Sequence, residues 1–346
     1  TGKYDVDYVS EMLEIFQAAA ESQQPLINDT IPRIVPILVG VLQNFIPQNI
    51  DEEILSRAGQ LLITLVEKRP KFVGKSNLVV PILEALVVIL SSSDAAAMFQ
   101  TPVEEEEGED DEEDEMSNEQ ELNVMVQSTI DSMAIKIPSK YFAGPALNHV
   151  SSCIQSPDAK VRKGGNALLG VIIEGVADTL RPMLGQILPH VCNSMTDENV
   201  DVRINACFAI GQFSEHCQPE ILTFADAILP PLLMCLRNAP NVKNVMVALY
   251  AIENFCESLE PEMFSAYLPT AMELLGAQFA RPDKNIAVEN QILCAISSIA
   301  VAAEKEFVPF VAAVVNVLTL RPSAVVPGRP ARLQPPDQVQ VRPPRP

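Results

Sequence analysis

Apolar or small residues recur along most of the chain at positions i, i+3, i+4 and i+7, the spacing of a helix that buries one face. The clearest copies are Gly165, Leu168, Leu169, Ile172; Ala206, Ala209, Ile210, Phe213; Ala248, Ala251, Ile252, Phe255; and Ile292, Ala295, Ile296, Ile299. Their last members stand 41, 42 and 44 residues apart. Upstream, Ala58, Leu61, Leu62, Leu65 and Val9, Met12, Leu13, Phe16 fit the same template, and Val126, Thr129, Ile130, Met133 fits it less cleanly. Between these helices lies a second series, predicted to open near Pro189, Pro230, Pro269 and Pro309, each preceded by Leu or Val and separated by 41, 39 and 40 residues. Proline is tolerated in a first helical turn, where its missing N–H has no partner to lose.

Two helices per unit of about 40 residues is the period of HEAT repeats. The predicted fold is therefore all-α, a HEAT-repeat α-α superhelix whose stacked helix pairs share one continuous core. Small quartet members such as Gly165, Ala206 and Ala248 let neighbouring helices approach closely. Ser156 followed by Pro157 reads as an N-cap with Pro at the first helical position, and Ser117 with Gln120 reads as a capping box.

One spacing breaks the period: Leu65 to Met133 is 68 residues, about 27 too many. The excess falls on residues 91–118, predicted as a disordered acidic loop inserted between the two helices of one repeat. Within it Glu104, Glu105, Glu106, Glu107, Glu109, Asp110, Asp111, Glu112, Glu113, Asp114 and Glu115 repel one another and cannot be buried, with Gly108 the sole neutral residue of the run. The solenoid is expected over residues 1–320. Residues 321–346, rich in proline and arginine, hold no helical quartet. Two readings are open for that tail: an extended basic linker, or an end foreign to the protein. The start at Thr1 reads as that of a fragment.

A net charge of −21, from 24 Lys and Arg against 45 Asp and Glu, disfavours nucleic acid and favours basic protein partners. Roughly half of that charge belongs to the inserted run. The seven cysteines form no Cys-x-x-Cys pair and lie in apolar helical patterns, as core residues of a reducing compartment would. No signal peptide is visible, and Val308 to Leu320 is too short to cross a bilayer, so no membrane partner is expected. Gly74, Lys75 and Ser76 imitate the end of a phosphate loop, but the glycine that motif requires is replaced by Arg69. His190 with Cys192 and His216 with Cys217 stand too close in sequence to share a metal from one helix face. Asn28–Thr30 matches a glycosylation acceptor without a secretory route. No cofactor, metal or catalytic constellation is predicted, and the chain is not expected to be an enzyme.

More informative is a carboxylate two residues after the quartet: Glu67, Glu174, Glu215 and Glu257, expected at the C-terminal ends of the second helices. Negative charge there opposes the helix dipole by about 0.3–1 kcal/mol, so helix stability alone does not select it. It is either a solvated helix end or an acidic stripe along one face of the superhelix, interrupted at Ile135 and Val301.

The runs Ala206 to Pro219 (ACFAIGQFSEHCQP) and Ala248 to Leu275 (ALYAIENFCESLEPEMFSAYLPTAMELL) resemble repeats of the importin-β, or karyopherin-β, family of nuclear transport receptors. The resemblance extends more weakly over Val6 to about Phe310, and an acidic insertion inside a repeat also occurs in such receptors. It implies a carrier, shuttling between cytoplasm and nucleus, that binds basic cargo such as histones and ribosomal proteins, contacts Phe-Gly nucleoporins, and releases cargo when the GTP-bound Ran GTPase binds. Second helices line the inner surface in this family. Glu174, Glu215, Asn254 and Glu257 are thereby candidate cargo or Ran contacts, together with the acidic run Glu104 to Glu115. A HEAT scaffold for a multiprotein complex and an acidic-loop histone chaperone are the competing functions.

Overall fold

The computed structural model describes residues 6–22, 24–48, 52–92 and 118–319. The acidic run Glu104 to Glu115, the Ser117 cap and the 321–346 tail lie outside the described residues.

Contacts divide the chain into residues 1–306 and 307–346. The first unit contains α1 (Val6–Glu21), α2 (Ile31–Gln48), α3 (Glu52–Lys68), the short α4 (Pro70–Lys75), α5 (Val79–Ser92), α6 (Asn118–Lys136), α7 (Ser139–Ile154) and α8 (Ala159–Leu180). It continues with α9 (Leu184–Ser194), α10 (Val200–His216), α11 (Ala225–Arg237), α12 (Val242–Cys256), the short α13 (Pro261–Phe264), α14 (Leu268–Phe279) and α15 (Ile286–Ala303). The second unit contains α16 (Val308–Thr319). No strand occurs among the described residues.

Every predicted quartet lies in one class of helix. The second helices α1, α3, α6, α8, α10, α12 and α15 each pack on the next, forming one layer. In the other layer, α2 packs on α5, α5 on α7, α9 on α11 and α11 on α14. Within repeats α2 pairs with α3, α5 with α6, α7 with α8, α9 with α10, α11 with α12 and α14 with α15. Residues 93–117, which fall between α5 and α6, lie outside the described residues. Quartet side chains such as Leu61, Ile130, Leu169, Ile210, Phe213 and Phe255 are fully buried between the layers. Burying one such aliphatic or aromatic side chain is worth about 1.5–3 kcal/mol. The less regular Val126, Thr129, Ile130, Met133 quartet is buried too, because Thr129 Oγ1 donates to the Met125 carbonyl at 2.7 Å instead of competing for a partner outside its helix. At Gly175, an added Cβ would stand 2.4 Å from the Ala134 carbonyl carbon and oxygen, so the backbones of α8 and α6 approach closely there.

Three local expectations are corrected. Asp158, not Ser156, caps α8: its carboxylate accepts from the Lys160 N–H at 2.9 Å, while Arg162 Nη1 takes the Ser156 and Pro157 carbonyls and holds them outside the helix. The same capping position is filled by Asn199, Asn241 and Asn285 at the starts of α10, α12 and α15. Pro189 and Pro230 lie inside α9 and α11 rather than opening them, because each helix starts a turn earlier where Leu184 and Leu188, or Ala225 and Ile228, find buried seats. Packing there outweighs the missing backbone bond. Pro269 and Pro309 do stand in first turns. Finally, Ile286–Asn316 is long and apolar enough to cross a membrane by length and composition, where the shorter run from Val308 is not. It is not one helix: Glu304, at φ 46°, separates α15 from α16.

Candidate acidic face on the second helices

The repeat places equivalent residues of α6, α8, α10 and α12 side by side. Glu67, Glu174, Glu215 and Glu257 are all exposed, and Asn254 is half-buried. Glu215 lies in the last turn of α10 and Glu257 is the C-cap of α12, as expected. Glu174 is the exception. It stands well inside α8, which runs on to Leu180 because Val176, Ala177 and Leu180 remain buried. The dipole argument therefore does not apply to Glu174, and its exposure leaves it to solvent or a ligand.

Two carboxylates missing from the sequence prediction join the face. Asp131 on α6 is half-buried, and its pKa is raised by burial and by the charge of Glu174, with His216 and Lys136 opposing. It precedes Ile135 by one helical turn and so supplies the negative charge where the Glu series lapses. Glu253 on α12 is likewise raised by burial and by Glu257, while the bond donated by Gln291 Nε2 opposes that rise. At the far end, Val301 on α15 is 65% exposed and no acid replaces it.

Aromatic rings lie among these carboxylates. Phe208 of α10 and Tyr250 of α12 occupy the same repeat position, both half-buried, with ring centroids 6.5 Å apart and planes inclined by 30°. Each is seated over a glycine of the preceding second helix: a Cβ on Gly170 would meet Phe208 at 2.4 Å, and one on Gly211 would meet Tyr250 at 2.3 Å. Gln212 Nε2 donates to the Tyr250 hydroxyl, which donates to Glu215 Oε2 at 3.3 Å. Burial, then the Glu215 charge, pushes the Tyr250 pKa up to about 12. The phenol therefore stays protonated and holds Glu215 in place. Sequence signals for this chain of contacts did exist in the 42-residue spacing of the rings and the 41-residue spacing of the glycines.

The opposite layer carries two clefts between neighbouring first helices. One of about 240 Å³ lies between α7 and α9, lined by Leu147, Val150, Ile154, Ile187 and His190 among others. A second, of about 220 Å³, lies between α11 and α14, with Pro230, Leu233, Met234, Tyr267 and Leu274 on its walls. Five of the seven cysteines are buried, Cys192 is half-buried and Cys294 is exposed. Burial raises the thiols, to about 11 at Cys192 and Cys217, which disfavours nucleophilic thiolate.

Residues 166–327 match a family model described as importin subunit beta-1-like, TPR repeats. The chain is 29% identical over 231 residues to importin-4 of Mus musculus, covering 66% of this chain and 21% of that protein. It is 24% identical over 307 residues to a probable importin subunit beta-4 of Schizosaccharomyces pombe, covering 88% and 26%. It thus spans about a fifth to a quarter of the length of these relatives. Among solved structures, Kap121p bound to Pho4p superposes with a TM-score of 0.75 at 22% identity, covering 91% of this chain and 30% of that one. Kap121p has also been solved bound to Nup53p, bound to RanGTP, and with two aspartates and a glutamate replaced by lysine at spacings of 43 and 42 residues.

Proposed function

We infer that this chain, a member of the importin-β family, is a segment of a nuclear import receptor that captures basic protein cargo on the carboxylate face of its second helices. The observation that carries this reading is the alignment of Asp131, Glu174, Glu215, Glu253 and Glu257 on four consecutive helices, two of them held partly out of water beside like charges. Such a row attracts lysine and arginine, and raises encounter rates more than it raises final affinity. The acidic run Glu104 to Glu115 adds to that attraction as a non-specific collector. Kap121p, whose fold this chain shares, has been solved bound to Pho4p and to RanGTP, which supports a role in binding cargo or Ran.

Core histones and ribosomal proteins are the proposed cargo, and GTP-bound Ran the releasing partner. The clefts between α7 and α9 and between α11 and α14, of about 240 and 220 Å³ and with largely apolar walls, are the proposed seats for the phenylalanines of Phe-Gly nucleoporins. The role is binding and shuttling between cytoplasm and nucleus, with no catalytic step.

The test is binding of a core-histone mixture to the chain at near-physiological salt, with and without Glu104–Glu115, and with Glu174, Glu215 and Glu257 changed together to Lys. Binding that survives loop removal and fails after charge reversal is the expected result. Loss on loop removal alone would make the chain an acidic-loop chaperone, and no binding by any form would favour a scaffold. Affinity should also fall steeply between roughly 50 and 300 mM salt, as the Debye length shrinks below about 10 Å.

A further inference from the structure

Resting on the capture of basic cargo inferred above, we propose that Phe208 and Tyr250 make this face select arginine over lysine, each ring forming with the neighbouring helix's glutamate a seat for one guanidinium. The motif occurs twice in succession. In the first copy Gly170 of α8 seats the Phe208 ring and Glu174 follows the glycine by one helical turn; in the second, Gly211 of α10 seats the Tyr250 ring and Glu215 follows by one turn. Residues four apart share a helix face, so each ring and its carboxylate are neighbours. In the second copy the contact is explicit, since the Tyr250 hydroxyl donates to Glu215 Oε2.

The two components act differently on the two cationic side chains. A carboxylate attracts lysine and arginine alike. A partly exposed ring adjoining it offers a surface on which a planar, weakly hydrated guanidinium stacks while its N–H fork pairs with the carboxylate. An ammonium is a compact and strongly hydrated charge that gains less from the same surface. Preorganisation helps as well, because the Tyr250 hydroxyl restrains Glu215 before any ligand arrives, and each ring rests closely against a glycine of the preceding helix. The centroid separation of 6.5 Å sets the two seats side by side, so that the preferred ligand carries two arginines within a short extended segment.

The experiment compares two fluorescent peptides of equal length and charge, alternating Ser with Arg or Ser with Lys, by anisotropy against the full chain at near-physiological salt. The arginine peptide should bind roughly threefold to tenfold more tightly, the range of a partly solvated cation–π contact. Changing Phe208 and Tyr250 together to Leu should bring that ratio close to one while the lysine peptide's affinity hardly moves. Glu215→Gln should weaken both peptides. If the double variant loses its helical circular dichroism, the single variants Phe208→Leu and Tyr250→Leu are scored, each being expected to lower the ratio part of the way. A ratio near one in the unmodified chain, or a ratio that survives ring removal, overturns the arginine seats and leaves basic-cargo capture standing. Failure of both peptides to bind the unmodified chain would sink the capture itself.

Discussion

The middle of the second-helix layer and its two flanks solve one packing problem with different residues. At the middle, Gly170 faces Phe208 and Gly211 faces Tyr250. On the N-terminal flank the glycine position of α6 holds Asp131, and the ring position of α8 holds Ala167, which is buried. On the other flank the glycine position of α12 holds Glu253, and the ring position of α15 holds Cys294, whose thiol is pushed up by burial and by the Glu253 charge. A large side chain thus meets glycine at the middle, while on the flanks a small residue holds the ring position and a carboxylate the glycine position. Between the middle and the C-terminal flank the summed size of the paired residues is similar, as close packing favours. The chemistry presented to solvent is free to change, from aromatic surface at the middle to half-buried acid at the flanks.

Moving a flank residue into the middle should have the largest effect. Gly211→Glu places a carboxylate against the Tyr250 ring and is expected to cost about 3 kcal/mol in urea unfolding, through overpacking and a poorly solvated charge. Adding Tyr250→Cys, which rebuilds the flank pairing, should recover at least half of that loss. If it recovers nothing, the volume rule is wrong. Gly211→Ala is the milder form, expected to cost about 1–2 kcal/mol by crowding the ring. In a Tyr250→Ala background the same change should become neutral or stabilising by up to about 1 kcal/mol, since alanine is the better helix former.

The smallest effect expected is electrostatic and separates the flanks from a nearby ion pair. Asp131 and Glu253 have raised pKa values in the folded chain. Their contribution is fully present below the ordinary carboxylate pKa and is lost as pH rises through the folded value, where each must ionise beside another acid. Asp131→Asn and Glu253→Gln should therefore stabilise the chain at pH 7 by about 0.5 kcal/mol each, in line with partly exposed pairs. That gain should vanish in acid. Asp197 behaves oppositely: Arg162 bonds both its oxygens, at 2.8 and 3.0 Å, and lowers its pKa. Its contribution is present above the ordinary carboxylate range and is lost as pH falls through the folded value. Thermal unfolding across pH 3 to 7, comparing Asp131→Asn with Asp197→Asn, should give slopes of opposite sign relative to the unmodified chain.

The repeat was legible because a helix buried on one face must repeat its apolar residues at helical spacing, and a stack must repeat the helix. Hence the quartets from Ala58 to Ile299, and their alternation with a second series of helices, were legible in the spacing alone. The capping series Asp158, Asn199, Asn241, Asn285 is equally periodic, although at α8 the neighbouring Ser156 and Pro157 carry an N-cap signal of their own. Helix ends were less legible. Pro189, Pro230 and the continuation of α8 past Glu174 were decided by buried contacts with other helices, against local preference.

By itself, then, the sequence determined what depends on spacing within one helix and between copies of it: an all-α stack, its two layers, and a carboxylate recurring on one of them. Which residue of one repeat meets which residue of the next was decided only in the tertiary structure. The Gly211–Tyr250–Glu215 contact and the pairing of Asp131 with Glu174 join residues 35 to 43 positions apart, across an interface whose register is set by side-chain volume. Periodicity reports which face is buried, but only packing reports what that face touches.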